Sequence, residues 1–501
     1  MLHLFAAFTF QAQQPHVIEM PQPGLDDTAA YQGYRTRFYR DSRANTVQVY
    51  VTPQGRVVVL LANSANESVG FTVRDSADRA IRVRWGAEEA IVSDSGSRRS
   101  IAIDLVAAEP VARVGLFLLG SMRVERDFQY GDGHLGRFIR PTFRQTELEG
   151  LIAALDGLPA AERRRQLELL GAATTLELRG RLYPTPRLDR TDTSWTLRVE
   201  QLTLDAKNTL ALELSGDPRA ATAVLEDGAL RLTSQGSEPI RFRVTVITDA
   251  DALTPLTRQE IFNDPFLARL AQSRAEHDSA ARVGPPRTPD DSALVFGYRR
   301  MERQVRGVEL LSSREKLMAG LPNFATYFGR DMMMTALMMR PVWRPEMSEH
   351  VIGSVLRKLS RVGQVSHEEA LGGQAIREAA AEHSALVAEH LRQAQAGRRE
   401  RANRLLARAR EVIADLQRVR ENYNMLDDEF QLPVLAAHYL TDTLVPLERK
   451  RAFLFGVEPD SVSRLSLLLR ELRLVADMTA PYVRSPTAAR LVAFPRRDST
   501  R

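Results

Sequence analysis

The sequence predicts a multidomain chain: a β-sandwich region first, then a helical, barrel-like region with a polar pocket at its mouth. Three observations predict it. Short apolar runs separated by turn residues fill residues 30–250. From residue 291 onward the apolar period becomes helical. Within that half, three segments set Arg, His and carboxylates at the starts of apolar helices. They are Asn323-Phe-Ala-Thr-Tyr-Phe-Gly-Arg-Asp331, Gly363-Gln-Val-Ser-His-Glu-Glu369 and Asn422-Tyr-Asn-Met-Leu-Asp-Asp428.

The chain of 501 residues exceeds one ordinary domain. Its formal net charge of +5 does not point to a nucleic-acid partner. The basic residues are nearly all Arg, with Lys only at 207, 316, 358 and 450, and acids are interleaved with them throughout. With no cysteine, disulfides, zinc–thiolate sites and thiol nucleophiles are excluded. No metal or cofactor motif stands out, and His134 in Gly-Asp-Gly-His-Leu-Gly reads as a loop residue. Residues 1–14 (Met-Leu-His-Leu-Phe-Ala-Ala-Phe-Thr-Phe onward) have a short apolar core without a positive lead. They read as the tail of a clipped secretory signal, which implies an extracytoplasmic (periplasmic or secreted) location. No later run is long and apolar enough for a membrane span.

In order, Thr46–Val51, Arg56–Leu61, Gly70–Arg74, Ser100–Leu105 and Val111–Leu118 read as strands. A Gly- and Arg-containing connection at 131–145 leads to a helical insertion near 145–170. Thr196–Val199, Thr209–Leu214 and Ile240–Ile247 form a second β block. One large sandwich with a helical insertion and two separate sandwiches both fit. Residues 251–290 are a linker with helical pieces, closed by Arg282-Val-Gly-Pro-Pro-Arg-Thr-Pro-Asp-Asp-Ser292. Helices are predicted near 292–312, 331–341, 346–361, 375–396, 398–421, 429–441 and 461–477. The Arg/Glu-dense helix at 398–421 reads as a solvated excursion. The stripe Met332, Met333, Met334, Met338 and Met339 reads as core packing.

Together, Tyr327-Phe-Gly-Arg-Asp331, Gly363-x-Val-Ser-His-Glu-Glu369 and Tyr423-Asn-x-x-Asp427 resemble the six-hairpin, (α/α)6-toroid glycosidases. The likeness is greatest to the glucoamylase and glycogen-debranching amylo-α-1,6-glucosidase branches, and it covers roughly residues 291–445. The resemblance implies a glycoside hydrolase acting by inversion on an α-linked glucoside or oligosaccharide, with no cofactor. Arg330 and Asp331 match the pair that grips sugar hydroxyls, and Asp427 matches the general acid. His367, Glu368 and Glu369 fall in the segment lining the same cleft; Glu368 and Glu369 are the further catalytic candidates. Tyr327 and Tyr423 join the substrate-binding set.

The chemistry stands on its own terms. Glycoside cleavage needs one carboxylic acid to protonate the leaving oxygen, and inversion needs a second carboxylate to activate water. The same residues also have plainer readings. Asp331 suits a helix start, Glu368 and Glu369 suit a solvated turn, and Asp427 and Asp428 suit an N-cap.

The chain departs from the family in helix number. A complete toroid has twelve helices, about half of which fit before Arg501, and no base-bearing motif follows residue 445. Only the first half of the toroid is expected, either as the front of a longer protein or as a shortened relative. An open half would expose apolar helix faces. The alternatives are therefore a non-catalytic carbohydrate-binding remnant and a glycoside phosphorylase on the same fold. The insertion between Glu369 and Tyr423 is longer than the resemblance leads one to expect.

Overall fold

The structure is a computed structural model that describes residues 18–121, 145–183, 185–282, 289–321, 324–423 and 425–490. The N-terminal segment 1–14 and the connection around His134 lie outside the described residues.

The N-terminal half is built from antiparallel sheets. Its strands are β1 (Ile18–Met20), β2 (Arg35–Arg40), β3 (Thr46–Val51), β4 (Arg56–Leu61), β5 (Glu67–Arg74), β6 (Val83–Trp85), β7 (Ile91–Asp94), β8 (Arg99–Ala107) and β9 (Val111–Ser121). After a helical stretch come β10 (Arg187–Arg190), β11 (Trp195–Leu202), β12 (Thr209–Gly216), β13 (Ala221–Glu226), β14 (Ala229–Ser234) and β15 (Ile240–Thr248). One sheet runs β1-β2-β3-β4-β5-β9-β14-β13; the other runs β10-β11-β12-β15-β8-β6, with β7 on β8.

The two β blocks are thus one unit. β14 pairs with β9, and β15 pairs with β8 from Ile240↔Ala107 to Thr248↔Arg99. Alternation along the strands then sends one side chain in two to a shared interior. Val47, Val49, Val59 and Phe71 of the first sheet share one apolar cluster with Ile101, Leu105, Leu212 and Val244 of the second. Each such side chain contributes about 1.5–3 kcal/mol by leaving water.

Between the β blocks, the described residues form three helices: α1 (Thr146–Asp156), α2 (Ala160–Leu169) and α3 (Thr175–Leu182), the last beyond the stretch expected to be helical. The linker region also carries helices. α4 (Arg258–Ile261) starts at a capping box of Thr257 and Glu260, and α5 (Asp264–Arg282) packs on α6 (Pro289–Leu311).

The helical half then proceeds through the short strands β16 (Met318–Gly320) and β17 (Phe324–Tyr327), α7 (Gly329–Met339) and α8 (Pro345–Arg357). β18 (Glu368–Leu371), α9 (Gly372–Gln395), α10 (Arg399–Ala414) and β19 (Val419–Asn422) follow. The described part ends with α11 (Asp427–Thr441), α12 (Leu447–Phe455) and α13 (Arg464–Arg484).

α7 and α11 lie side by side and parallel. Arg330 and Asp427 meet at their starts, while Arg340 meets His438 and Asp442 at their ends. α8 returns antiparallel behind them, its early Glu349 receiving Arg449 and the Tyr439 hydroxyl at the far end of α11. α13 packs on α11. Met332, Met333, Val351, Val355, Leu432 and Leu435 fill the core between these helices.

Two of the expected outlines change. The helix expected over 398–421 ends at Ala414, because Val419–Asn422 instead pairs with Glu368–Leu371. The methionine stripe divides by helical phase: Met332 and Met333 are buried, whereas Met334 and Met338 are 42% and 73% exposed.

The long insertion is the α9–α10 hairpin. It packs on α1–α3, so the two insertions build a third core from Leu151, Ile152, Ile376, Ala380, Ala409 and Ile413. Arg410–Glu162 at 2.6 Å and Arg418–Asp205 at 2.6 Å clamp it. α10 is therefore solvated on one face only. α9 begins so close to the β unit that a Cβ on Gly372, at φ 49°, would stand 2.7 Å from Ala65. Only glycine suits that backbone and that space.

Candidate functional site

The three polar segments converge. β18 pairs with β19 in the register Glu368↔Asn422, which joins the second segment to the third. Phe328 bridges to Glu368, and the Gly329 amide donates to the His367 carbonyl at 2.7 Å, which joins the first. Gly329 is needed there, since a Cβ would stand 2.4 Å from the Ser366 carbonyl oxygen.

Two parallel helix starts therefore open at one place. Their unpaired amides and aligned dipoles favour anions, which explains the first-turn acids Asp331, Asp427, Asp428 and Glu429. Arg330 sits between Asp331 and Asp427, 3.7 Å from an oxygen of each. All three are partly open to solvent, with side-chain exposures of 38%, 43% and 49%. Such separations leave room for a ligand hydroxyl to bridge guanidinium and carboxylate. The outer faces of both helices continue as apolar surface: Met334 and Met338 on α7, and Phe430 and Val434 on α11.

Beneath the open layer is a buried one. His367 Nδ1 lies 2.9 Å from Asp428 Oδ2, and the Asp428 side chain is fully buried. Burial pushes the Asp428 carboxyl up to about 6, with Asp427 adding to the rise and the His367 hydrogen bond and Arg330 opposing it. Tyr327 is fully buried under the same point; burial and the neighbouring Asp428 and Glu369 charges push its hydroxyl well above the usual phenol range.

Glu368 and Glu369 point to different surroundings, as neighbours on a strand do. The Glu368 carboxylate accepts from Asn422 Nδ2 at 3.0 Å and is half-buried. Glu369 is buried and lies 2.6 Å from Lys358 Nζ and 4.0 Å from Lys316 Nζ. Its Oε1 also accepts from the Thr326 hydroxyl and the Tyr327 amide. Burial alone would raise its pKa, but the two ammonium groups outweigh that and lower it. A carboxyl held ionised between two lysines is suited to fixing β17, not to giving up a proton. Burial brings Lys316 down to about 8. Lys358 also stands over the Tyr327 ring, 5.3 Å from its centre, and its carbonyl accepts from the Tyr423 hydroxyl.

No protein-family model matches this chain, and no curated protein matches it. Sequence reasoning missed Asp428, Glu429, Lys316, Lys358 and Glu471. The helical phase was the available signal for Asp428: it shares a face with Leu432, Leu435 and Tyr439, all buried, whereas Asp427 is on the open side. Glu429 accepts the Val365 amide on both oxygens, at 3.0 and 3.1 Å, and burial raises it to about 8. Glu471 on α13 is raised to about 8 by burial and by Glu429, and neither of its oxygens has a hydrogen-bond partner among the described residues.

Among the described residues, no group of three or more His, Cys, Asp or Glu side chains could hold a metal ion, and no helix is long and apolar enough to cross a membrane. A small, largely apolar pocket lies between the β unit and α9, at the Gly372 and Arg418 end of β18 and β19. Glu368 and Asn422 mark the opposite end of the same strand pair.

Proposed function

We propose that this chain is a glycoside hydrolase-type protein whose mouth at α7 and α11 takes an α-linked glucoside or oligosaccharide. The observation that carries the reading is the meeting of Arg330, Asp331 and Asp427 at two adjacent parallel helix starts. Arg330 and Asp331 grip vicinal hydroxyls of the sugar ring. Asp427 protonates the leaving glycosidic oxygen, and the reaction inverts the anomeric centre once a carboxylate on the opposite side activates water. Glu368, whose backbone bridges to Phe328 beside the start of α7, is the candidate for that second carboxylate. Glu369 and Tyr327 hold the floor, and Tyr423 holds the end of α8 against it.

The fold reading goes with the function. We read the two sheets over one core as a β-sandwich, and α7, α8, α11, α12 and α13 as hairpins of an α/α toroid. Parallel α7 and α11 with antiparallel α8 behind them support it, and so do the apolar faces that α7 and α11 leave open below the polar mouth.

The test is saccharide-dependent thermal stabilisation across a panel of α- and β-linked gluco-oligosaccharides, followed by product analysis with and without phosphate. Stabilisation by α-linked members that Arg330→Ala abolishes, with phosphate-independent glucose release, supports the reading. Sugar phosphate formed only with phosphate makes it a phosphorylase, stabilisation without product makes it a carbohydrate binder, and no response to any saccharide removes the proposal.

A further inference from the structure

His367 and Asp428 form a unit of their own under the open layer. Only 10% of the His367 side chain is exposed. Its Nδ1 is committed to Asp428 Oδ2 at 2.9 Å, and Phe328 packs edge-on against the ring at 5.6 Å. Nε2 is not among the sealed, unpartnered atoms, so the open edge of the ring is the one that carries it. By contrast, Asp428 Oδ1 and the Tyr327 hydroxyl are both sealed and have no hydrogen-bond partner among the described residues. Both line the gap at Gly329, 3.4 and 3.1 Å from where a Cβ would sit. An imidazole that gives its Nδ1 proton to a buried carboxylate is fixed in one tautomer, with a bare Nε2 when neutral and a second donor when charged.

We propose that Asp428 is a positioning residue that locks His367 with Nδ1–H on the carboxylate and Nε2 open to the Arg330–Asp427 mouth, which makes His367 a further hydroxyl-binding group of the site. The ligand class, an α-linked glucoside, rests on the functional reading above; the lock itself does not. The charged groups that face the pair are Asp427 and Glu429 from α11 and Arg330 from α7, with the Tyr327 hydroxyl from β17. The raised Asp428 carboxyl fits a pair in which one proton is shared between carboxylate and ring. With Nδ1–H held on the carboxylate, a bare Nε2 accepts from a sugar hydroxyl.

The experiment uses the full chain labelled with nitrogen-15 in histidine, with His367 assigned by the signal lost in His367→Gln. Its two ring-nitrogen shifts report the tautomer. The lock predicts Nδ1–H with bare Nε2 at pH 8, and Asp428→Asn, which can offer its amide N–H to Nδ1, moves His367 to Nε2–H. A wild-type Nε2–H tautomer, or a tautomer unchanged by Asp428→Asn, overturns the lock. If Asp428→Asn fails to fold, the wild-type shifts alone decide.

The second arm titrates an α-linked glucose trisaccharide. Movement of the His367 Nε2 signal, with binding weakened about tenfold in Asp428→Asn, supports the contact role. Binding that depends on Arg330 but leaves His367 unmoved overturns it. Absence of all binding sinks the glucoside reading, while the tautomer arm still decides the lock.

Discussion

Arg330 Nη1 lies 3.7 Å from Asp427 Oδ2, although the two residues start different helices on opposite sides of the α9–α10 insertion. The pair is half open, so it contributes about 0–1 kcal/mol to folding. Its value lies in position, since neither residue is needed to hold the core. Arg330→Ala is expected to unfold within about 1 kcal/mol of the wild type in urea while losing saccharide-induced stabilisation. A variant that keeps the saccharide response would remove Arg330 from the site.

Lys358 and Glu369 make the opposite kind of pair, 2.6 Å apart, with the carboxylate buried and the lysine mostly covered. Removing one partner strands a buried charge. Lys358→Met should therefore cost about 3–5 kcal/mol, and Lys358→Met with Glu369→Gln should cost clearly less. Chemical denaturation of the two variants and of Glu369→Gln gives the coupling. Additive costs would contradict the picture of a carboxylate held ionised by its ammonium neighbours.

Glu429 and Glu471 set a pH dependence. Both have folded-state pKa values of about 8, above the ordinary carboxylate value of 4.5. From about pH 4.5 to 8 the unfolded chain has released these protons and the folded chain retains them. The native state binds more protons, so stability falls as pH rises through that window and levels above it. Glu471→Gln removes one such group. It should stabilise the chain by on the order of 2 kcal/mol at pH 8 and by little at pH 5, measured by paired denaturant titrations. Equal effects at both pH values would mean that Glu471 is ionised in the fold.

Gly329→Ala should destabilise by about 1–3 kcal/mol, because the added methyl must push α7 off the Ser366 carbonyl. It should also blunt the saccharide response, since α7 carries Arg330 and Asp331. Both follow from one set of melts with and without ligand.

The three polar segments were legible because local chemistry wrote them. A Gly-Arg-Asp before an apolar run announces a helix start, and so does Leu426-Asp-Asp. The short-range β pattern was equally plain, but pairing was not. Nothing local in Ile240–Thr248 says that it joins Arg99–Ala107 across the helical insertion. Helical pieces in the 251–290 linker are legible, but the length of α5 is not; the charge pattern of the helix expected over 398–421 continues past Ala414 and covers most of β19. Lys316 carries no sequence sign of burial: it sits among charged neighbours in the chain, and only tertiary packing closes water away from it. Glu471 shares a helical face with Leu467 and Leu468, and that phase is its one sign.

The most direct test of the central claim is proton NMR of the anomers released from an α-linked gluco-oligosaccharide by the purified chain. The account predicts that β-glucose appears first and equilibrates toward the α-anomer, and that Asp427→Asn abolishes release without unfolding the protein. α-Glucose appearing first would contradict inversion, and release unaffected by Asp427→Asn would contradict the site.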